Sequence, residues 1–374
     1  MQRRKHRKYD DECYLGFGEQ PRPLELQIGL YLSYLSNEAL LRETRYVRNQ
    51  IDAEFGLPLP PICIRDNLCI SHSGYKILLH GVEVAGYDKL WLEHVLCLDT
   101  GSVTEELVGE KIMEPVFETY GIAVNKDRAE EAKSLGYLVV EPTAVIRTHL
   151  TEIIKKNITK FLDQSMVNTL INKVRDKNPD VVDDVFFMNN FSTAKLKTIL
   201  NWLLEEGICI RDMNTILETI ADNLEETKNP IELMEKVREK LAYQFLPKLA
   251  DNNKVFHVIR VSQGLAEALA ERIYYPRSKN ELPYYALSPV ENKAFDNSIR
   301  QKARCMKEKG YEPVFLIISS LRTALSNSLR PRIGNWPCIS DKELYSVSND
   351  YTIVVEEELE VDEIKVNGSG SSCN

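Results

Sequence analysis

The chain has no run approaching the ~20 consecutive apolar residues that a membrane-spanning helix requires, so no segment of its 374 residues is expected to cross a bilayer as a helix. Cysteine is present but unpatterned. The eight positions (13, 63, 69, 97, 209, 305, 338 and 373) contain no C-x-x-C, which leaves no redox or zinc-ribbon signature. They read as reduced, mostly buried residues, with Cys63 and Cys69 as core fillers on one strand-like run. The phosphate-binding G-x-x-x-x-G-K-[ST], the nucleophile elbow G-x-S-x-G and the zinc-protease H-E-x-x-H are all missing. Gly16-Phe17-Gly18 and Gly109-Glu110-Lys111 come nearest to a phosphate cradle and lack the glycines around them. Histidine is scarce, at six. Cys69 with His72 and His94 with Cys97 have ligand-like spacing, but an odd offset on a strand sends His94 and Cys97 to opposite faces. No metal or cofactor is expected, and no internal repeat is visible.

Charge is also one-sided. The formal net charge is -9, yet Arg3, Arg4, Lys5, Arg7 and Lys8 crowd the first eight residues. An acidic body with one short basic arm is the wrong footprint for a nucleic-acid binder, which spreads positive charge over a folded face. The helix that would begin near Asp212 carries Glu218, Asp222, Glu225 and Glu226 and would repel phosphate. The arm lacks the apolar centre of a signal peptide and suits a segment following a membrane anchor on its cytoplasmic side.

The folded part is expected to open at Leu24, Leu26 and Ile28 as a strand, followed by a helix capped by Ser36 or Asn37 and closed by Gly56. That helix would bury Leu40, Thr44, Val47 and Ile51. After Pro60-Pro61, two runs, Ile62 to Ile70 and Tyr75 to Val84, read as a hairpin about His72-Ser73-Gly74, with Arg65-Asp66 as a structural clamp. A strand over 90–98 precedes a composition break from Asp99 to Pro115, and residues 93–141 read as a small unit inserted in a larger α/β unit that resumes at Pro142. Helical periods then follow one another over 163–243. From Val255 the pattern returns to α/β, with strands at 255–261, 314–318 and 351–355 and helices at 264–272 and 292–309. The acidic, then Gly/Ser-rich end from Glu356 reads as disordered.

The strings themselves carry a resemblance. Pro23-Leu24-Glu25-Leu26, Leu59-Pro60-Pro61 with Ile64-Arg65-Asp66-Asn67, Tyr75-Lys76-Ile77-Leu78-Leu79 through Gly81-Val82-Glu83-Val84-Ala85, Glu114-Pro115-Val116-Phe117, Thr148-His149-Leu150-Thr151-Glu152 and Ile210-Arg211-Asp212-Met213 occur in order. With them the chain resembles the cytoplasmic domain of the type III secretion export gate family, shared by the flagellar exporter and the virulence injectisome. The match covers about residues 20–245 and continues by pattern beyond.

The resemblance implies an α/β plus α fold of four subdomains, the second inserted in the first, with a helical third and an α/β fourth. Residues 1–19 would be a basic juxtamembrane linker, 20–92 with 142–161 the first subdomain, 93–141 the second, 162–245 the third, 246–360 the fourth and 361–374 a flexible tail. It also implies a non-enzymatic role at the cytoplasmic face of the bacterial inner membrane, with a nonameric ring joined to the membrane by an N-terminal domain outside this chain. The implied partners are export chaperones and substrates, the stalk protein of the export ATPase, and other export-gate and switch components, but no nucleic acid. The family's chaperone-docking cleft maps onto Glu114, Phe117 and Thr148, an aromatic anchor beside a carboxylate. Here Glu118-Thr119-Tyr120 stands where a Gly-Leu is common. Gly-Val-Glu-Val-Ala and Glu-Pro-x-Phe lean to the flagellar branch. The rival reading is a cytosolic enzyme with an active site around His149 and Glu152.

Overall fold

The computed structural model describes residues 22–278 and 281–366. The expected basic linker at 1–19 and the last part of the expected tail, 367–374, lie outside the described residues. The chain divides into two compact units at Phe161/Leu162.

The first unit opens with β1 (Leu24–Ile28), whose Leu24, Leu26 and Ile28 are fully buried, each contributing roughly 1.5–3 kcal/mol of transfer free energy. Helix α1 (Leu30–Phe55) ends at Gly56, which takes the left-handed conformation at φ +69 and closes the last turn with a bond to the Asp52 carbonyl. The helix starts six residues before the expected cap at Ser36, with Gly29 in the capping place. β2 (Cys63–Asp66) is followed by β3 (Tyr75–Leu79) and β4 (Val82–Tyr87).

The sheet order is β2-β1-β3-β4, with β2 parallel to β1 and the rest antiparallel. The expected hairpin about His72-Ser73-Gly74 is therefore not formed, because β1 lies between its two arms. The hairpin in this sheet is β3–β4, turned on His80 (φ +49) and Gly81 (φ +81), the two left-handed residues that a tight two-residue turn demands. Arg65 clamps across strands rather than to Asp66: its Nε is 3.7 Å from the buried Glu25 carboxylate on β1. Cys69 is exposed and off the strand, so only Cys63 of that pair fills core.

A second four-stranded sheet is made entirely from residues 94–140: β5 (His94–Leu98), β6 (Glu110–Met113), β7 (Tyr120–Asn125) and β8 (Leu138–Val140), with α2 (Ala129–Ser134) between the last two. Its order is β6-β7-β5-β8, antiparallel throughout. Gly136, at φ +89, closes the turn into β8, where a Cβ would meet the Ser102 carbonyl oxygen at 2.3 Å. α3 (Pro142–Lys156) then returns to pack on α1.

The second unit begins with helices α4 (Gln164–Arg175), α5 (Pro179–Asp183), α6 (Thr193–Glu205), α7 (Met213–Asn223) and α8 (Pro230–Phe245). Asp163, Ser192, Asp212 and Asn229 cap four of them through side-chain oxygens. Then come β9 (Val255–Val261), α9 (Gln263–Ala270), the short ribbon β10 (Ile273–Tyr274) with β11 (Tyr284–Tyr285), α10 (Pro289–Glu308), β12 (Phe315–Ile317), α11 (Ser319–Ile333), β13 (Cys338–Ser340), α12 (Asp341–Tyr345) and β14 (Thr352–Leu359). The sheet order is β13-β12-β9-β14, all parallel. Side chains alternate from β9 into two cores, Phe256 and Val258 on one face with Leu246 of the helical part, Ile259 and Val261 on the other with Phe295 and Phe315. Beyond β14, Val361 and Ile364 are buried in the second of these cores, so the expected tail starts too early: apolar residues spaced through the acidic run keep 361–366 on the body.

A buried ionic cluster ties the helices to the sheet of this unit. Glu206, at the end of α6, meets Arg238 of α8 and Arg322 of α11, the latter at 2.9 Å, and accepts from Ser326 at 3.1 Å. Arg238 also reaches Glu343 of α12 at 2.7 Å, and Arg322 pairs with Glu235. Burial alone would push the Glu206 carboxyl up; Arg238, Arg322 and Arg330 overcome it and hold the group at about 2. Among the described residues no helix is long and apolar enough to cross a membrane.

Removing the shared carboxylate leaves two fully buried guanidiniums short of a partner. Glu206→Ala is expected to lower unfolding free energy by about 3–5 kcal/mol, read from urea midpoints. Because the folded group titrates below its unfolded value of 4.5, its contribution is complete above that pH and disappears as pH falls toward 2, so wild type and Glu206→Gln should converge in acid.

Candidate functional site

The β6–β7 hairpin ends in a six-residue loop, Glu114 to Thr119, closed by a backbone bond from Glu114 N–H to the Thr119 carbonyl at 2.8 Å. Inside it the Glu114 carboxylate accepts the Phe117 N–H at 2.8 Å, and Glu118 turns the chain back at φ +54. On the loop so held, Phe117 is 62% exposed, while Glu114 is only 4% exposed. The expectation from sequence is an exposed aromatic beside a carboxylate. The ring faces solvent, and the carboxylate faces inward as the brace that shapes the turn.

Inward, Glu114 belongs to a polar seam between the two sheets of this unit. Tyr87 of β4 donates its hydroxyl to the Met113 carbonyl at 3.2 Å, tying the first sheet to the hairpin. The Tyr75 hydroxyl shares a 2.8 Å hydrogen bond with His149 Nδ1, the rings meeting edge to face at 5.8 Å. Burial, reinforced by the nearby Glu114 charge, pushes both phenols above their usual range. Burial likewise lowers the His149 imidazole, which keeps it neutral and able to hold its bond to Tyr75.

Thr148 precedes His149 on α3 and is half-buried. Its hydroxyl donates to the Ala144 carbonyl one turn back at 3.0 Å. Beside it Arg147 pairs with Glu43 at 3.1 Å and lies over the Tyr46 ring. Thr148 precedes His149, which bonds Tyr75, and the Glu114 charge acts on the Tyr75 hydroxyl. Tyr75, Tyr87 and Glu118 were not singled out as site residues from the sequence. A positive φ at Glu118 has a faint signal, the replacement of a glycine in the turn; the two tyrosines have none, since only the meeting of two sheets gives them a role.

His149 and Glu152 are not brought together. His149 is buried against Tyr75, whereas Glu152 is exposed. His94 is exposed and Cys97 buried, the opposite faces that their spacing demands, and among the described residues no group of three or more His, Cys, Asp or Glu is arranged to hold a metal. In the second unit a groove of about 960 Å³ opens beside β14 and the carboxyl ends of β9 and β12, where Ile318, Leu344, Tyr345 and Ile353 provide apolar walls and Asp341, Glu358 and Arg260 charged edges. Open parallel sheets present their clefts at this end.

A model of the FHIPEP family matches residues 5–349. The flagellar biosynthesis protein FlhA of Treponema pallidum is 33% identical over 311 residues, which is 82% of this chain and 43% of that protein. FlhA of Caulobacter vibrioides is 29% identical over 324 residues, 86% of this chain and 46% of that protein. The chain thus spans less than half the length of these relatives. Among solved structures, the Chlamydia pneumoniae CdsV protein superposes with a TM-score of 0.77 at 20% identity, covering 91% of this chain and 99% of that one. The nonameric EPEC SctV-C gives a TM-score of 0.71 at 20% identity, covering 90% and 98%. CdsV has also been solved in complex with the CdsO protein.

The His149 bond makes a pH prediction. The folded imidazole is lowered below its unfolded value near 6.5, so the unfolded chain takes up the proton first as pH falls. Stability is expected to be flat above about pH 6.5 and to decline below it, and the decline should be smaller in His149→Gln, as measured by melting temperature against pH.

Proposed function

The chain belongs to the FHIPEP family, that of the FlhA-type components of the type III protein export gate, and we propose that it forms the gate's cytoplasmic docking ring. In this reading export substrates and chaperone–substrate complexes are held by a small hydrophobic anchor before transfer to the membrane channel. The observation that carries it is Phe117: a large aromatic side chain, 62% exposed, on a loop whose backbone is fixed by a buried carboxylate. An exposed ring on a rigid turn is a preorganised binding element, because little conformational freedom remains to be lost when a partner packs on it. Phe117 is the anchor, Thr148 offers its methyl group on α3, and Glu114 sets the loop from within. The partner class that fits is an amphipathic helix.

The remaining parts of the reading rest on the family. The nonameric state of the EPEC relative supports a ring, in which each subunit would use two different complementary faces. The family supports four subdomains, two in each compact unit, a place at the cytoplasmic face of the inner membrane, and an N-terminal membrane domain in the intact protein. The stalk protein of the export ATPase and other gate and switch components are the further proposed partners. The FlhA relatives, at up to 33% identity, favour the flagellar branch. The enzyme alternative has no support: its imidazole is committed to Tyr75 and its carboxylate lies apart.

Phe117→Ala should weaken binding of a chaperone–substrate complex by about 1–3 kcal/mol in calorimetry, with the melting temperature unchanged; an equal loss of stability would assign the ring to the core instead. Mass photometry of the domain across a concentration series should reveal species growing toward nine copies, and a monomer at every concentration counts against the ring.

A further inference from the structure

The residue after the anchor is out of keeping with its backbone. Glu118 sits at φ +54, a left-handed conformation that glycine adopts freely and a residue with a Cβ holds only at a cost of order 1 kcal/mol or more. The turn requires a left-handed residue there, since Glu118 reverses the chain within the loop closed by the Glu114 N–H and the Thr119 carbonyl, but glycine would serve that turn at less cost. Glu118 is exposed, and among the described residues it has no ion-pair partner, whereas Glu114 four residues earlier is buried and bonded.

The surroundings say what such a carboxylate can do. Met113 and Tyr120 stand opposite each other in the β6–β7 register and are 41% and 59% exposed. With Phe117 they give the hairpin tip three large apolar side chains open to solvent. The nearby cation, Lys111, pairs with Ile122 further from the loop and is held 4.8 Å over the Tyr120 ring. The tip therefore combines apolar surface with one unpaired negative charge next to its most exposed ring.

We propose that Glu118 is a specificity determinant of this surface, selecting an amphipathic helix that carries a Lys or Arg one turn away from the apolar residue packed on Phe117. This rests on the docking reading above. A rim charge in water contributes little raw affinity but discriminates between cationic and anionic partners and accelerates encounter, and both effects fade with salt. The turn needs a left-handed residue, and a carboxylate in that place stands beside the ring; glycine would relax the loop and lose the discrimination.

The test uses fluorescein-labelled amphipathic peptides of about 16 residues with a Leu-Phe anchor followed one turn later by Arg, Gln or Glu, titrated into wild type, Phe117→Ala, Glu118→Gly and Glu118→Gln. Wild type should prefer the Arg peptide over the Gln peptide by about two- to fivefold at low salt, with the Glu peptide weakest. That ranking should collapse in both Glu118 variants and at high salt, while Glu118→Gly melts at a higher temperature than wild type. Retention of the Arg preference by Glu118→Gln overturns the inference, and if Phe117→Ala still abolishes binding, the docking reading stands without it. Binding of all peptides undiminished by Phe117→Ala, or no binding to wild type, overturns the docking reading and this inference together.

Discussion

One hydrogen bond sets the character of the candidate site, that from the Phe117 N–H to the Glu114 carboxylate. A charged acceptor within a turn makes a bond stronger than its neutral counterpart, and here the acceptor is shielded from water. Buried in place, it fixes the loop that keeps an aromatic ring in solvent against the hydrophobic effect. The same carboxylate lies near Tyr75 and Tyr87, so the surface anchor and the polar seam beneath it answer to one group. A carboxylate expected at the docking surface instead sets the shape of the loop from within.

The two units use charge differently. In the first, polar groups line a seam between sheets and hold a functional loop. In the second, Glu206 gathers arginines from α8 and α11 in a site from which water is excluded. Such clusters add little net stability relative to an apolar core but penalise any arrangement that separates the partners. Helices and sheet of that unit are thereby kept in register by charge as much as by the apolar cores on either face of β9.

Much of this architecture is legible from local signals. Pro142 at a helix start, Ser192 and Asp212 as caps, and Gly56 and Gly136 as stops all act within a few residues of themselves, and each stands where the sequence suggests. What escapes is non-local. The β1 strand inserts between β2 and β3, and no pattern within residues 62–84 can announce a strand arriving from residue 24. The two-residue turn at His80-Gly81 is hidden inside what reads as one apolar run. Helix α11 has no amphipathic stripe to detect, because Arg322, Thr323, Ser326 and Ser328 are buried along with its leucines. For the site, the exposed state of Phe117 and the buried state of Glu114 depend on a loop geometry that composition does not encode.

The β14 strand has a consequence of its own. It lies at the border of its parallel sheet, and Ile353, Val354 and Val355 remain 38–42% exposed there. An unpaired apolar border invites zippering between identical molecules, and a ring would concentrate many copies in one place. The register break between Val355 and Glu357 interrupts that template with a kink, and the glutamates at 356 to 358 are held there by His257, Lys302, Lys309 and Arg260. The acidic stretch that reads as a solvent-seeking tail is thus pinned to the body by its own counter-charges and bends the sheet's open border.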